Sequence, residues 1–442
     1  MNASLSGHFS YKRLLKFILP AIGMMLFSSI YSVVDGFFVS NYAGSSQFAA
    51  INLIIPFLIL VAAVGFMIGS GGTALVSYHL GTGNKERANN TFSLLTYTVI
   101  FVGLIFTIFG QLVLEEVSIF LGATGDMLPY CILYGRIVLS ALIPFMLQNM
   151  FQSFMVAAGK PKLGFGVTVF SGITNMLLDY ILVGIFSLGV SGAAIATAMS
   201  QLVGGVIPLI YFLLPNKSLL QLSKVSFDLA SIIKACSNGA SEFVTNISMS
   251  IVSMLYNREL IDIAGENGVS AYGVIMYVSF IFVAVFIGYS IGVVPVIGYN
   301  YGAGNNEELK SLLKKSLLTV IFAGVIMFIL SEISAQQLAH LFVGYDIELM
   351  EITKAAFRIY ASSFLIVGLN IFVSAFFTAL SDGKISAIIS FSRTLVFQVI
   401  IVIVLPMIFG IKGIWWATTI AELLAAIISL YYLVKMKNKY NY

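Results

Sequence analysis

Long stretches without any ionisable acid or base limit the fold of this chain more than any other feature. Ser93 to Leu114, Gly36 to Asn84, Tyr180 to Asn216 and Val269 to Asn306 contain no Asp, Glu, Lys or Arg. A helix needs about 20 apolar residues to cross a bilayer core, so the first run accommodates one crossing and each other run accommodates two. Only 10% of the residues are charged, against about 25% in soluble domains. We therefore expect an all-α polytopic membrane protein.

Charged residues divide the chain into twelve expected membrane spans. The spans run near 14–40, 48–79, 91–114, 130–157, 163–186, 191–214, 232–257, 269–299, 312–333, 354–380, 385–409 and 413–434. An even number of crossings puts both termini on the same side of the membrane.

The distribution of basic residues predicts which side that is. Seventeen of the 23 basic residues fall on the face that carries the amino terminus. They are Lys12, Arg13, Lys16, Lys85, Arg87, Lys160, Lys162, Lys217, Lys224, Lys234, Lys310, Lys314, Lys315, Lys384, Lys435, Lys437 and Lys439. The opposite face carries acids: Glu115, Glu116, Asp126, Glu259, Asp262, Glu266, Asp346, Glu348 and Glu351. Because cytoplasmic loops are enriched in Lys and Arg, we expect both termini to be cytoplasmic.

The second half of the chain repeats landmarks of the first half at an offset of 221 or 222 residues. Leu80–Glu86 reads almost as Tyr301–Glu307, Arg136-Ile137 recurs as Arg358-Ile359, and Gly192 with Ala196-Thr197 recurs as Gly413 with Ala417-Thr418. Three landmarks in register predict a duplication into two six-helix lobes, residues 1–222 and 223–442. Parallel repeats of this kind are typical of transporters, with the substrate site between the lobes.

Two acids deep in the expected spans are the strongest candidates for function, because charged groups at this depth are costly and usually functional. Asp35 in span 1 follows Tyr31 by one helical turn, and Asp179 in span 5 follows Asn175 by one turn. Two carboxyl groups held close together cannot both stay ionised at low cost. The pair could therefore carry a proton, and its oxygens would also suit Na⁺.

Other polar residues in the spans allow more than one interpretation. Glu242 in span 7 could line a cavity or face cytoplasmic water. Glu422 in span 12 corresponds by the 221 offset to Gln201, and either a pocket or an interhelical hydrogen bond would explain that position. Arg393 in span 11 is left without an assigned role.

Several classes of protein are disfavoured by what the sequence lacks. It contains no GxxxxGK[ST] loop for ATP and no HExxH metal motif, which are the usual signatures of ATP-driven and zinc-dependent chemistry. We therefore expect no enzyme, no cofactor beyond a coupling ion, and no nucleic-acid partner. Most of the 36 Phe, 21 Tyr and 17 Met residues are expected to face lipid or the core, and those that line a cavity would suit flat organic cations.

The spans and motifs together resemble the multidrug and toxic compound extrusion (MATE) transporters over essentially the whole chain. Val34–Val39 resembles the span-1 Asp motif of that family, Asn175–Asp179 its span-5 Asn-x-x-x-Asp motif, and Gly192–Thr197 the start of its span 6. The match is closest to the bacterial DinF/MepA-like branch.

This resemblance implies a V-shaped pair of lobes around a central cavity, with rocker-switch alternating access. It implies a cation site in the first lobe at Asp35, Asn175, Asp179 and Thr197, which would be a metal site only if the ion is Na⁺. The residues expected to line the substrate cavity are Tyr31, Tyr134, Gln152, Gln201 and Asn370. Pro20 lies where the family has a kinking proline in span 1. Another branch has additional acids deep in spans 7 and 10, but span 10 here offers Asn370, so coupling through the second lobe is in doubt.

The expected function is export of organic, mainly cationic compounds in exchange for H⁺ or Na⁺, by a monomer in the lipid bilayer. One alternative is a flippase for lipid-linked oligosaccharides from the same superfamily, which would need several cationic side chains in the cavity. A membrane-embedded lipid-modifying enzyme is a second alternative, and it would need clustered acidic or His residues at a membrane face.

Overall fold

The computed structural model describes residues 5–43, 45–125 and 127–442. Within these ranges the chain is helical almost throughout and contains no strand. Asp126, which the sequence assigns to the outer face, lies outside the described residues.

The helices account for the twelve expected spans. In order, the spans are Tyr11–Tyr42; Ser45–Gly81; Lys85–Phe120; Met127–Ser140 with Leu142–Ala157; Pro161–Leu178 with Asp179–Ile185; Gly189–Leu213; two spans within Leu229–Gly302; Asn306–Val343; Ile347–Ala361 with Phe364–Ala379; Gly383–Phe391 with Ser392–Val396 and Phe397–Phe409; and Ile411–Lys435. Several helices extend beyond the expected bounds, because residues outside the bilayer continue the same helix.

Spans 7 and 8 are joined by a reversal at Gly265 rather than by a loop. Gly265 has φ 60° and ψ −154° inside the continuous helical segment Leu229–Gly302. The rings of Tyr256 and Tyr272 stack with their centroids 4.7 Å apart, whereas 16 residues of straight helix would separate them by about 24 Å. The chain therefore folds back at Gly265, and the 74-residue segment supplies two crossings.

The backbone confirms the repeat that the sequence predicts. Span 4 bends by 58° and span 10 by 47°, at positions one repeat apart. Asn84 and Asn305 cap the helices that follow them in the same way, each accepting a hydrogen bond from the backbone N–H three residues later. Gly189 and Gly410, also 221 residues apart, both have positive φ before spans 6 and 12.

The two bends have different chemical causes. In span 4 the bend lies at Ala141, and Pro144 follows Ser140 by four residues. Proline lacks the N–H that would bond to the carbonyl four residues earlier and clashes with that carbonyl. Span 10 has no proline at its bend but has the pair Ser362-Ser363, and Ser362 Oγ donates to the Ile359 carbonyl instead.

The two six-helix lobes contact each other through small residues near the end where the described termini lie. A side chain at Gly81 would collide with the Tyr299 carbonyl, and one at Gly302 would collide with the Tyr78 carbonyl. Gly302 is the repeat partner of Gly81, and Tyr299 is the repeat partner of Tyr78. A twofold relation between the lobes therefore converts each contact into the other. Spans 2 and 8 therefore meet symmetrically, with helix backbones in close approach.

The same relation holds deeper in the interface. Gly71 of span 2 packs against Gly239 of span 7, while Gly292 of span 8 packs against Ile18 of span 1. Gly292 is the repeat partner of Gly71, and Gly239 is the repeat partner of Ile18. The contacts between the lobes thus gather in the half of the molecule that carries both termini, which agrees with the V-shaped arrangement.

Two segments, which we call straps, join the lobes by hydrogen bonds at this end. The backbone N–H of Phe9, ahead of span 1, donates to Glu308 Oε1 of span 9 at 2.9 Å, and His8 Nδ1 lies 2.7 Å from Glu308 Oε2. Ahead of span 7, the N–H of Ser223 donates to Ser93 Oγ of span 3 at 2.9 Å. Each strap leads into a helix of one lobe and lies on a helix of the other lobe.

We expect Gly265→Ala to lower the free energy of unfolding by about 1–3 kcal/mol, because a Cβ is strained at φ 60°, ψ −154° although open space surrounds it. Gly273→Ala is the matched control, since Gly273 also faces open space but is not at positive φ. Thermal unfolding of both variants in detergent measures the difference. Equal stability of the two variants would contradict the assigned reversal.

Candidate functional site

The two deep acids of the first lobe are brought together between spans 1 and 5. The carboxyl group of Asp35 lies within hydrogen-bonding reach of both Asp179 and Asn175. Asp179 begins the π-helical stretch Asp179–Ile185, which interrupts span 5. Such single wide turns recur at functional sites because they redirect one side chain without ending the helix.

Three of the four carboxyl oxygens of the acid pair lack a hydrogen-bond donor. Asp179 is fully buried and Asn175 is 2% exposed. Both carboxyl oxygens of Asp179, Oδ1 of Asp35 and Oδ1 of Asn175 are buried without a hydrogen-bond partner. Ionised carboxylates only accept hydrogen bonds, so two of them facing each other repel and leave their lone pairs unsatisfied. A proton shared between them, or a bound cation, would satisfy both groups.

Neutral polar side chains surround the pair. The Tyr134 side chain lies within reach of Thr197 and interacts electrostatically with Asp35 and Asp179. Tyr31 lies beside Gln148 and also interacts with Asp35. Phenol, hydroxyl and amide groups can orient towards an ion or substrate without adding charge. The net charge of the site is thus set by the two acids and whatever they bind.

A small cavity shares Gln148 with these surroundings. It has a volume of about 10 Å³, comparable to the space one water molecule needs. Its lining includes Gln148, Gln152 and Thr168, and Oε1 of Gln148 is buried without a partner. These polar groups could hydrogen-bond to one bound water in a lining that is otherwise mostly apolar.

The second lobe contains a buried polar cluster of different chemistry. Arg393 Nη1 donates to Glu422 Oε1 at 3.3 Å, and Asn370 Nδ2 donates to Glu422 Oε2 at 2.7 Å. Ser429 Oγ donates to Asn370 Oδ1 at 2.8 Å. Glu242, partly exposed on span 7, interacts electrostatically with Arg393. Here each oxygen of Glu422 has a donor.

The residues predicted from the sequence to be functional therefore do not form one site in the structure. They lie in several separate places. Asp35, Asn175 and Asp179 come together, with Tyr31, Tyr134 and Thr197 around them, and Gln152 lines the adjoining cavity. Gln201 is buried in span 6 with Oε1 unpartnered, and Pro20 lies inside an unbroken span 1. Asn370 is fully buried in the Glu422 cluster.

One residue and one pairing in these sites are not predicted from the sequence. Gln148 lies beside Tyr31, and no motif or repeat position draws attention to it. The pairing of Arg393 with Glu422 joins residues 29 apart on different spans, so helical spacing gives no sign of it. The only sequence signal for Arg393 and Glu422 is that each is an ionisable residue within an apolar segment.

We expect Asp179→Asn to stabilise the protein at alkaline pH without Na⁺, because its amide can donate to Asp35 where two carboxylates otherwise face each other. Thermal unfolding in detergent should show a rise in Tm of about 2 °C or more. Asp262→Asn, which alters an exposed acid, should leave Tm unchanged. A lower Tm for Asp179→Asn would mean that Asp35 and Asp179 are not an unfavourable pair.

Comparison with known proteins finds a match to the MatE family model over residues 20–181 and again over residues 242–404. The two matches begin 222 residues apart, as the repeat requires. The chain is 25% identical to "Multidrug export protein MepA" of Staphylococcus haemolyticus, over 97% of this chain and 94% of that protein.

Solved structures share the fold over nearly the whole chain. One, described as "Crystal structure of MATE in complex with MaL6", superposes with a TM-score of 0.93 at 22% identity, covering 99% of this chain and 98% of that one. Another, described as "Outward-facing conformation of a multidrug resistance MATE family transporter of the MOP superfamily", gives the same TM-score, identity and coverage.

Proposed function

The chain belongs to the MatE family, and from this premise we propose that it is a secondary transporter which exports organic, mainly cationic compounds in exchange for H⁺ or Na⁺. The acid pair Asp35 and Asp179 carries this proposal, because its unpartnered oxygens need a mobile cation. The name of the staphylococcal relatives, multidrug export protein, supports the substrate class. The activity is transport rather than an enzymatic reaction.

Exchange follows from competition for one charge state. When Asp35 and Asp179 bind H⁺ or Na⁺, the site loses negative charge and holds a cationic compound less tightly. Release of the ion restores the charge and favours binding of the next cation. A ligand shifts the equilibrium between conformations only through its different affinity for them, so the ion and the compound must favour opposite steps. Exchange of one monovalent ion for one monovalent cation moves no net charge, so the membrane potential contributes only at higher ion ratios.

Na⁺ would use a specific set of ligands. It could be held by the carboxylates of Asp35 and Asp179, the amide oxygen of Asn175 and the hydroxyl of Thr197, all of them oxygen donors suited to a hard cation. Among the described residues, no three or more His, Cys, Asp or Glu side chains are placed to hold one metal ion together, so two neutral oxygens would have to complete the Na⁺ site. A proton needs only the two acids.

Alternating access would proceed by movement of lobes 1–222 and 223–442 against each other. With both termini in the cytoplasm of a bacterial cell, as the basic residues favour, the strapped end is cytoplasmic and this conformation faces outward. The straps at Glu308 and Ser93 would have to release before the cavity could open inward. Pro20 in span 1 is the proposed hinge, and each monomer would carry a complete pathway.

A flippase for lipid-linked oligosaccharides is the alternative that transport assays must distinguish. It would need free cations in the cavity to bind a diphosphate, but Arg393 is bonded to Glu422. The acids Asp35 and Asp179 would repel that substrate. Both facts favour the exporter.

We expect Asp35→Asn to reduce ion-driven ethidium transport at least about tenfold, because one amide cannot supply the charge that ion and compound compete for. Proteoliposomes with an imposed pH gradient or Na⁺ gradient measure this loss and identify the coupling ion. Asp262→Asn serves as the control on an exposed acid. Wild-type transport by Asp35→Asn would refute the role of the acid pair, and no ethidium movement by folded wild-type protein would favour the flippase.

We expect Gly239→Leu to open the strapped end, because its side chain would collide with the Met67 carbonyl. Ser77 is fully buried at this interface, beside Gly298, so Ser77→Cys in a chain without Cys131 and Cys236 reports the opening.

The rate of maleimide labelling at that cysteine should rise about tenfold or more with Gly239→Leu. A tenfold rise corresponds to destabilising the closed conformation relative to the open one by roughly 1.4 kcal/mol. Gly273→Leu, which faces open space, is the matched control. Equal labelling in both variants would show that the Gly239 contact does not hold the lobes together.

A further inference from the structure

The two lobes have the same arrangement of helices, but their buried acids have different hydrogen-bond partners. Each lobe buries a carboxyl group beside an asparagine and next to a π-helical stretch, Asp179–Ile185 in span 5 and Ser392–Val396 in span 11. In the first lobe the carboxyl oxygens of Asp179 have no donor. In the second lobe both oxygens of Glu422 accept hydrogen bonds.

The donor that makes this difference is a permanent cation. Arg393 is the second residue of the π-helical stretch, and its Nη1 lies 3.3 Å from Glu422 Oε1. The side chains of Arg393 and Glu422 are 11% and 5% exposed, so solvent screens the pair little. Arginine stays protonated in proteins, so its charge cannot be exchanged as the charge of H⁺ or Na⁺ can.

The remaining groups around Arg393 come from spans 7 and 10. Glu242 of span 7 and Tyr360 of span 10 also interact with it electrostatically. Asn370 of span 10 donates to Glu422 and accepts from Ser429. Both hydrogen-bonding ends of the amide are therefore used within the cluster. Glu422 thus has no unsatisfied oxygen with which to recruit an ion.

We propose that Arg393 is an internal counter-ion, which occupies in the second lobe the role that a mobile H⁺ or Na⁺ fills in the first. The coupling ion then binds at Asp35 and Asp179, and Glu422 keeps a permanent cation beside it. This inference rests on the proposed function for its meaning in transport. The counter-ion role of Arg393 toward Glu422 can be tested without transport.

Removing the guanidinium should create a new ion site. In an Asp35→Asn background, where the first-lobe site is impaired, Arg393→Met leaves Glu422 buried without its cation. A buried carboxylate in this position must take up H⁺ or Na⁺, and a ligand that binds only the folded state raises Tm. We expect Tm of the double variant in detergent to rise by about 2 °C or more on addition of Na⁺ or on acidification. Asp35→Asn alone should show no such response.

Two matched controls separate charge from shape. Arg393→Lys keeps a cation beside Glu422 and should show no new ion response. Arg393→Met with Glu422→Gln removes both charges and should also show none. If Tm of Asp35→Asn/Arg393→Met responds to neither ion, or if all three variants respond equally, the proposal is overturned.

A further variant keeps the test decisive if Arg393→Met does not fold. In otherwise wild-type protein, Glu422→Gln should leave the response of Tm to H⁺ or Na⁺ intact, because that response arises at Asp35 and Asp179. Loss of the response would assign the mobile ion to Glu422 and overturn the proposal. Failure of the proposed function has a different signature, which is ethidium transport that survives Asp35→Asn.

Discussion

Two acceptor-only carboxyl groups face each other inside a bilayer-spanning bundle, and the rest of the structure depends on how that conflict is resolved. Asp35 and Asp179 cannot hydrogen-bond to each other unless one carries a proton, and Oδ1 of Asp35 and both carboxyl oxygens of Asp179 are buried without a donor. Desolvation makes unpaired charge costly. A shared proton or a bound cation would resolve this conflict, and the proposed ion exchange depends on that requirement.

The duplicated plan explains why one half can specialise without disturbing the other. Helix caps, bends and positive-φ glycines recur at the same offset in both lobes, so the backbone is shared. In the proposed mechanism, a few side chains decide whether a lobe needs an external cation or supplies its own. In the second lobe, Arg393 and Asn370 saturate Glu422, and this asymmetry underlies the proposal that a single lobe couples transport to the ion.

Close packing of glycines sets the geometry of the interface between the lobes. In a membrane, helices gain little from burying apolar surface, because lipid is equally apolar, so small residues that allow backbone approach become decisive. Gly71, Gly81, Gly239 and Gly302 supply this approach at one end, and the straps at Glu308 and Ser93 reinforce it. Such contacts can separate as rigid surfaces, as the proposed alternation requires.

The sequence by itself determined the twelve spans, the repeat and the candidacy of Asp35 and Asp179, because hydropathy, charge spacing and the helical period are local properties. It also predicted the neighbourhood of Asn175 and Asp179, one helical turn apart. Only the tertiary structure decided that Gln148 approaches Tyr31, that the chain reverses at Gly265, and that Arg393 pairs with Glu422. These contacts join distant spans, and which face of one helix meets another depends on packing between helices rather than on local spacing.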